Sequence, residues 1–261
     1  MTSSTPLIVF TDLDGTLLDH DTYSYEAARP ALQNLARLGA PVILASSKTA
    51  AEIAPLREEL ELSACPAIVE NGAGVLEAAS PPDEDNAVYG RLRQALAELP
   101  VDTRRAYHGF GDMSVAEVAD CTGLSLDKAA LAKTRAFSEP GLWQGAADRL
   151  PGFLKALAQK GIAARQGGRF LTLSFGGTKA DRMADILAQF GSPFSIALGD
   201  APNDIEMLER ADLGIVIANP HSAALPPLAG ETAGRIRRST KPGPDGWNTE
   251  VLRVIMDRSE V

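Results

Sequence analysis

Two aspartates stand two positions apart at the end of a short apolar run near the start of the chain. The run is Leu7 to Phe10, and the aspartates are Asp12 and Asp14. Residues i and i+2 of an extended segment point to the same side, so the two carboxylates can share one pocket. Two carboxylates this close repel, and they need a cation between them or a proton on one of them. An Asx turn at a strand end is the plainer interpretation of the same residues.

Magnesium is the cation that suits hard oxygen ligands of this kind. With the metal bound, one carboxylate can attack an electrophilic phosphorus atom. The other can pass a proton to the leaving oxygen. The pair therefore predicts phosphoryl chemistry, provided that the rest of the chain supplies further polar groups at the same place.

Three later segments supply such groups. Ser46 follows a second predicted strand, Lys179 begins a helical pattern, and Asp200 follows a third apolar run. Open parallel sheets bind ligands at the carboxyl ends of their strands, so one pocket can collect Asp12, Ser46 and Asp200. The plainer alternatives are helix N-caps at the serine and aspartate segments and an ordinary exposed helical lysine.

Composition narrows the class of protein. The chain has 261 residues, 45% of them hydrophobic, which suits one large or two small domains with a buried core. The net charge of −9 argues against nucleic acid and anionic membranes as partners. Cys65 and Cys121 fit no metal-ligand spacing and are expected to be reduced. The chain lacks a signal-like start and a membrane-length apolar run, and we expect a cytoplasmic protein.

Short apolar runs alternate with helical patterns in two separate parts of the chain, which predicts an α/β fold with a parallel sheet. Between these parts the pattern is less regular, with several helices and two strand-like pieces near 134–138 and 162–174, and with a loop after the helix near 87–99. We therefore predict a core domain of residues 1–80 and 177–261, with an inserted α+β cap domain at 81–176. The cap would lie at the carboxyl ends of the strands, where it can exclude water and read the substrate.

The motifs in order are Asp-x-Asp-x-Thr, Ser, Lys and Gly-Asp-x-x-Asn-Asp. This arrangement resembles the haloacid dehalogenase superfamily, in particular its phosphatases, over residues of about 5–80 and 178–260. The resemblance implies a Rossmann-like core of that type. It also implies that Asp12 is the nucleophile, that Asp14 is the general acid and later the base, and that Ser46 and Lys179 stabilise the transferring phosphoryl group.

The same resemblance implies a magnesium cofactor. Its protein ligands would be Asp12, the backbone carbonyl of Asp14, and Asp200. Asn203 and Asp204 would not bind the metal themselves, but would orient these ligands or Lys179.

Further segments resemble the mannosyl-3-phosphoglycerate phosphatase family, whose members convert a glycosyl-3-phosphoglycerate to the glycosylglycerate. The substrate carries a phosphate, a carboxylate and a sugar. Arg169 is expected to hold the carboxylate, and Gly168 to let the backbone approach the ligand. Lys48 and Glu139 are expected to bind hydroxyl groups. The segments are Ser46–Thr49, Glu70–Gly72, Arg135–Pro140, Gly167–Phe170 and Gly243–Asn248.

Other functions fit the same residues less well. A broader sugar-phosphate or sucrose-phosphate phosphatase would keep the core chemistry, a phosphomutase would pass the phosphoryl group to another hydroxyl, and a binding module would keep only the fold.

Arg169 and Glu139 have plain alternatives as a surface arginine and a structural carboxylate. Trp247 is expected in the core, and His108 and His221 receive no role. The residues do not distinguish mannosyl from glucosyl substrates and do not give an oligomeric state.

Overall fold

The computed structural model describes residues 7–82 and 86–259, and these form two main sheets and a short two-stranded antiparallel hairpin at residues 67–76, with helices around them. The strands, in chain order, are β1 (Leu7–Thr11), β2 (Val42–Leu44), β3 (Ala67–Val69), β4 (Gly74–Leu76), β5 (Tyr107–Gly109), β6 (Ser138–Trp143), β7 (Ala163–Gly167), β8 (Phe170–Ser174), β9 (Phe194–Gly199), β10 (Leu213–Ala218) and β11 (Ile236–Pro242). The helices are α1 (Arg29–Arg37), α2 (Ala50–Glu59), α3 (Ala87–Ala97), α4 (Val101–Arg104), α5 (Val115–Thr122), α6 (Leu126–Lys133), α7 (Leu150–Gln159), α8 (Lys179–Gln189), α9 (Ile205–Arg210), α10 (Ala229–Thr232) and α11 (Gly243–Ser259).

The larger sheet has five parallel strands in the order β11-β10-β9-β1-β2. Strand β1, which lies between β9 and β2, is apolar along nearly its whole length, as expected for a parallel strand that is covered on both faces. Val9 packs with α1 and α11 on one face, whereas Ile8 and Phe10 pack with α8 and α9 on the other. The alternation of side chains along β1 therefore builds a three-layer α/β/α core.

The smaller sheet is antiparallel, with the order β5-β6-β8-β7. One of its faces packs on α3 and α7 through Leu92, Phe153 and Leu173. On the other side Phe110 packs with Val118 and the rest of the α5–α6 pair. The predicted fold class, a parallel α/β core with a separate antiparallel domain, is confirmed; the boundaries at residues 81 and 177 stay a prediction.

The structure moves one predicted strand and adds two elements. The strand expected at 134–138 begins only at Ser138, because the backbone N–H groups of Ala136 and Ser138 donate to the buried carboxylate of Glu70. They are therefore not available to a sheet at that point. The segment expected as a loop after α3 contains α4 and β5. The apolar stretch at 162–174 is a hairpin of two strands.

Other sequence expectations are met in the described part of the chain. Trp247 is fully buried in the core, where its indole N–H donates to Thr11 Oγ1 at 3.0 Å. Cys65 and Cys121 are both free thiols. Among the described helices, none has the length and apolar character needed to cross a membrane. The predicted linker at 80–86 lies partly outside the described residues.

Gly72 brings the segment after β3 into contact with the start of α8. It has φ of +90°, and a Cβ atom at this position would lie 2.1 Å from the backbone carbon of Thr178. The Arg182 side chain donates to the Gly72 carbonyl oxygen at 3.2 Å across the same contact. A side chain here would therefore push away the residue that caps the helix of Lys179.

Substitution of this glycine gives a test of the contact. Gly72→Ala is expected to lower the free energy of unfolding by about 3 kcal/mol, the sum of overpacking and of a positive φ imposed on alanine. Gly39→Ala is the matched control, because Gly39 also has a positive φ but has open space around its Cβ position. Urea unfolding measures both variants, and equal losses for the two would show that the approach to Thr178 is not tight.

Candidate active site

Strand register brings the predicted residues to one edge of the parallel sheet. Thr11, the last residue of β1, is aligned with Leu198 of β9 and with Leu44 of β2. Asp12 follows Thr11 directly and Asp200 follows the end of β9, and their carboxylate oxygens lie within 4.8 Å. Ser46 lies at the same edge, two residues beyond the end of β2.

Asp12 is a buried carboxylate that faces a buried ammonium group. Its Oδ1 accepts a hydrogen bond from Lys179 Nζ at 2.5 Å. Burial raises the pKa of Asp12, and the neighbouring Asp204 and Asp14 charges raise it further, against the opposite effect of Lys179. The charged form that a nucleophile needs therefore depends on positive charge nearby.

Lys179 is placed by the start of α8. Thr178 caps this helix, with its side chain accepting from Asp181 N–H and with the Asp181 carboxylate accepting from Thr178 N–H. The lysine is 1% exposed, and its Nζ donates to Asp12 and, at 2.7 Å, to Asp204. Burial alone would lower the pKa of Lys179, but the two carboxylates raise it above its ordinary value. The residue is thus held as a cation.

Asp204 anchors the acidic loop that follows β9. Its Oδ2 accepts from the backbone N–H groups of Asp200 and Ala201, while Oδ1 contacts Lys179. Gly199 permits this arrangement, since a Cβ there would lie 2.5 Å from the Asp204 side chain. The contact expected between Asp204 and Lys179 is therefore present.

Asp200 is held on both oxygens. Thr16 Oγ1 donates to Oδ1 at 2.7 Å, and Asn219 Nδ2 donates to Oδ2 at 2.8 Å. Burial raises the pKa of Asp200, although these two hydrogen bonds act in the opposite direction. Gly15 allows Asn219 to approach, because a Cβ at residue 15 would lie 2.4 Å from its amide nitrogen.

Asp14 lies in a different environment from Asp12. Its side chain is 38% exposed, and Oδ2 pairs with Lys48 Nζ at 2.8 Å. Its other oxygen, Oδ1, is buried without a hydrogen-bond partner among the described residues. Burial works against the charge on Lys48, yet the Asp14 contact raises the pKa of this lysine overall. Two carboxylates two positions apart thus differ in exposure and in partner.

The donor set at this edge fits a hard divalent cation. Asp12, Asp200 and Asp204 each offer one oxygen, and these oxygens lie within 4.8 Å of one another in a buried cluster. Lys179 supplies only one positive charge to this group. A cluster of three buried carboxylates therefore has the chemistry to hold magnesium.

Ser46 and Asn203 lie beside this cluster. Ser46 is buried, and its Oγ accepts the Lys48 backbone N–H at 3.2 Å, which leaves its own hydroxyl hydrogen available to a ligand. Asn203 Nδ2 donates to Asn71 Oδ1 at 2.9 Å. Asn203 therefore holds the acidic loop to the segment after β3, whereas it was predicted to orient metal ligands or Lys179.

The structure corrects the role predicted for the cap residue Glu139. It was predicted to bind substrate hydroxyls, but it is fully buried. Its carboxylate accepts from Tyr89 Oη at 2.6 Å, from Arg93 at 2.5 Å and from Gly111 N–H at 2.9 Å. These partners use both oxygens, so Glu139 joins cap elements to each other and is not free for substrate.

Arg169 and Gly168 form the turn between β7 and β8. Arg169 is exposed, and its guanidinium donates to the Cys121 carbonyl at 2.7 Å. Gly168 has φ of +54° with open space at its Cβ position, so the turn itself accounts for a glycine there. Their predicted contacts with a ligand stay predictions.

Several partners of the site were not identified from the sequence. Thr16 and Asn219 hold Asp200, but only Thr16 belongs to a recognisable motif. Tyr23 lies near a core lysine and a cap lysine, with Lys48 Nζ at 5.5 Å and Lys128 Nζ at 4.5 Å from its ring centroid. The sequence did contain one signal for Asn219: it directly follows the apolar run that ends at Ala218, and a residue in that position can reach the same edge of the sheet.

Comparison with known families decides the affiliation of the chain. The family model described as haloacid dehalogenase-like hydrolase matches residues 9–89 and 130–226, which is well over half of the sequence. The chain belongs to the haloacid dehalogenase-like hydrolases. Membership of this family carries hydrolase activity of the phosphatase type, and the matched ranges include Asp12, Asp14, Ser46, Lys179 and Asp200.

Solved structures share the whole fold of this hydrolase. The sucrose-phosphatase from Synechocystis, solved with sucrose and phosphate, is 14% identical, with a TM-score of 0.63 and 98% of each chain covered. A phosphatase-superfamily protein from Bacteroides thetaiotaomicron is 15% identical, with a TM-score of 0.65 and coverage of 100% of this chain and 97% of the other. A haloacid dehalogenase-like hydrolase from the same organism is 21% identical, with a TM-score of 0.63 and coverage of 96% and 99%. At these identities the likeness concerns the fold.

The raised carboxyl pKa values predict how the stability of this hydrolase depends on pH without metal. At a pH above 3.8, the ordinary pKa of an aspartate, Asp12 and Asp200 in the folded chain keep protons that they have lost in the unfolded chain. The free energy of unfolding should therefore fall as the pH rises from mildly acidic to neutral, by up to about 1.4 kcal/mol per pH unit for each such proton. Urea unfolding in EDTA measures this slope, and magnesium should raise stability more at neutral than at acidic pH.

Asp12→Asn is the control for this measurement. It keeps the shape of the side chain and removes one of the titrating groups, so its slope in EDTA should be shallower than that of the wild type. Identical slopes for the two proteins would show that Asp12 titrates normally.

Proposed function

We propose that this hydrolase is a magnesium-dependent phosphatase in which Asp12 forms an aspartyl-phosphate. The observation that carries the proposal is the contrast between the two aspartates of one motif. Asp12 is buried against Lys179, whereas Asp14 is partly exposed beside Lys48. One carboxylate is thus placed to attack and the other to exchange protons with the leaving group and with water.

Magnesium would be held by Asp12, by Asp200 and by the backbone carbonyl of Asp14. When bound, it supplies positive charge that offsets the phosphoryl oxygens and the buried carboxylates. Asp200 is fixed for this role by Thr16 and Asn219.

The side chains then perform two displacements. The Asp12 carboxylate attacks phosphorus, the bond from phosphorus to the leaving oxygen breaks, and Asp14 donates its proton to that oxygen. Asp14 next takes a proton from a water molecule, whose oxygen attacks the same phosphorus atom. The bond to Asp12 breaks, inorganic phosphate leaves, and both aspartates return to their first states.

Two further groups would act on the transferring phosphoryl group. The Lys179 ammonium offsets the charge that develops on its oxygens, and it is held in place by Asp204. The Ser46 oxygen accepts a hydrogen bond from the Lys48 N–H, and this bond does not use the hydroxyl hydrogen. The Ser46 hydroxyl can therefore donate to one of the phosphoryl oxygens.

A comparison of leaving groups tests the role of Asp14. Asp14→Asn should lower kcat on an alkyl phosphate such as 3-phosphoglycerate or its glycosides by about a hundredfold to ten-thousandfold, the usual contribution of a general acid. On p-nitrophenyl phosphate the loss should be much smaller, because that leaving group departs without a proton. Phosphate release measures both rates.

Asp12→Asn is the companion variant, and it should stop turnover on both substrates since it removes the nucleophile itself. Equal losses on the two substrates for Asp14→Asn would contradict the assignment of Asp14 as the acid. Turnover that survives in Asp12→Asn would contradict the whole mechanism.

For the substrate, we propose a glycosyl-3-phosphoglycerate, with mannosyl-3-phosphoglycerate as the main candidate. Such a substrate carries a carboxylate in addition to the phosphate. Two lysines, Lys48 from the core and Lys128 from α6 of the cap, both lie near the Tyr23 ring, and Lys48 also pairs with Asp14. Arg169 adds a third cation on the cap hairpin. The two lysines near the Tyr23 ring are the positive charge that supports a substrate with a second acidic group.

A broader sugar-phosphate phosphatase is the second candidate. Glu139 is used inside the cap and Arg169 donates to the Cys121 carbonyl, so the cap offers fewer free groups to a specific substrate than predicted. The likeness of fold to a sucrose-phosphatase agrees with this reading.

A substrate panel with a cap variant separates the two candidates. The first predicts that mannosyl- or glucosyl-3-phosphoglycerate is preferred over sucrose 6-phosphate and mannose 6-phosphate by about a hundredfold, or 2.7 kcal/mol. Arg169→Ala should lower kcat/KM for the phosphoglycerates by about tenfold to a hundredfold, as for a lost hydrogen bond to a charged group. Simple hexose phosphates should be unaffected.

Arg105→Ala is the matched control, since Arg105 is an exposed arginine of the cap at the end of α4. It should leave all four rates unchanged. Similar rates on all four substrates, together with equal effects of Arg169→Ala on each, would favour the broader phosphatase.

A further inference from the structure

Two exposed loops bring three metal-ligating side chains together outside the carboxylate cluster. His20 and Asp21 lie in the loop that follows the Asp14 motif, and His221 lies in the loop after β10. One potential ligand atom from each lies within 4.8 Å of the other two. The imidazole rings of the two histidines are stacked, with centroids 4.2 Å apart and planes 13° apart. His221 Nε2 lies 3.7 Å from Asp21 Oδ2.

The backbone of both loops is fixed by hydrogen bonds of its own. Asp19 Oδ1 accepts from the backbone N–H groups of Asp21 and Thr22. The His221 N–H donates to Asn219 Oδ1 at 2.9 Å. Both loops are therefore ordered before an ion binds, which lowers the entropic cost of bringing the three side chains together.

The donor set differs in kind from that of the buried site. Two imidazoles and one carboxylate suit zinc and similar first-row transition metals, whereas magnesium prefers oxygen ligands alone. In a tetrahedral zinc site the ligand atoms lie about 3.3 Å apart, as follows from zinc–nitrogen bonds of about 2.0 Å. The side chains of Asp21 and His221 are 72% and 41% exposed, so they are free to rotate through the remaining distance.

We propose that His20, Asp21 and His221 form a site for one divalent transition-metal ion of the zinc class, with water as a fourth ligand. The site is separate from the magnesium site and does not depend on the proposed phosphatase activity. Local charge favours it, because Asp19 and Asp21 both lie in the same loop of a chain with net charge −9.

An ion bound there would join two loops that serve the active site from different strands. The loop of His20 follows the turn that carries Asp14. The loop of His221 carries Asn219, which donates to Asp200 at 2.8 Å. Metal binding at this surface would therefore restrict the positions of an acid and of a metal ligand at the same time.

The histidine content makes the site directly observable. The chain has three histidines, so imidazole resonances in a nitrogen-15 correlation spectrum can be assigned by single substitutions. The experiment titrates zinc into the full chain, free of any polyhistidine tag and with saturating magnesium. The resonances of His20 and His221 should shift together at one equivalent, and those of His108 on β5 should stay in place.

Cobalt gives an independent readout of the same site. Tetrahedral cobalt with nitrogen ligands absorbs strongly in the visible range, whereas octahedral cobalt among carboxylates absorbs weakly. The strong band should appear in the wild type and in His108→Ala, and it should be lost in His20→Ala and in His221→Ala. These are surface substitutions, and circular dichroism checks that the variants are folded.

Three results would overturn the proposal. The first is an absence of zinc-induced shifts in the wild type. The second is a shift of His108 equal to those of the other two, which would indicate non-specific binding. The third is a cobalt band that persists in both His20→Ala and His221→Ala.

Discussion

The architecture of the site depends on one buried ammonium group between two buried carboxylates. Lys179 is almost fully enclosed and contacts both Asp12 and Asp204. A buried charge is tolerated only when it is paired, and removal of one partner leaves the other uncompensated. The chain accordingly fixes this lysine through backbone features, since Gly72 approaches the cap of its helix and Gly199 makes room for Asp204.

The same constraint explains why the two aspartates of one motif differ. Asp12 lies at the edge of the sheet beside Lys179, where it is buried from solvent. Asp14 lies two residues further on, where the chain turns towards solvent and Lys48. A single step of two residues therefore separates a buried carboxylate from a partly exposed one.

The sequence was informative where function follows local pattern. Asp12 and Asp200 could be placed at one edge because both follow apolar runs that are typical of parallel strands. Lys179 could be placed at a helix start because a helical pattern begins after the turn at residues 176–178. Contacts across long sequence separations could not be found in this way. Asn219 binds Asp200 through a loop, and Glu139 pairs with Arg93 across the cap sheet. No local pattern distinguishes such a buried carboxylate from one that faces a ligand.

Apart from Phe137, which packs against the core cluster, the cap and the core bury separate sets of apolar residues. The members of both apolar clusters of the cap lie between Tyr89 and Leu173 in the sequence, and none of them belongs to the parallel sheet. The described polar links include Glu70, which binds the backbone just before and at the start of β6, and Thr49, whose hydroxyl donates to the Leu131 carbonyl at 3.0 Å. Substitutions inside the cap can thus change its shape at little cost to the packing of the catalytic half. Such a division allows the surface that faces a ligand to be reshaped in one half while the packing that holds the carboxylate cluster stays unchanged in the other.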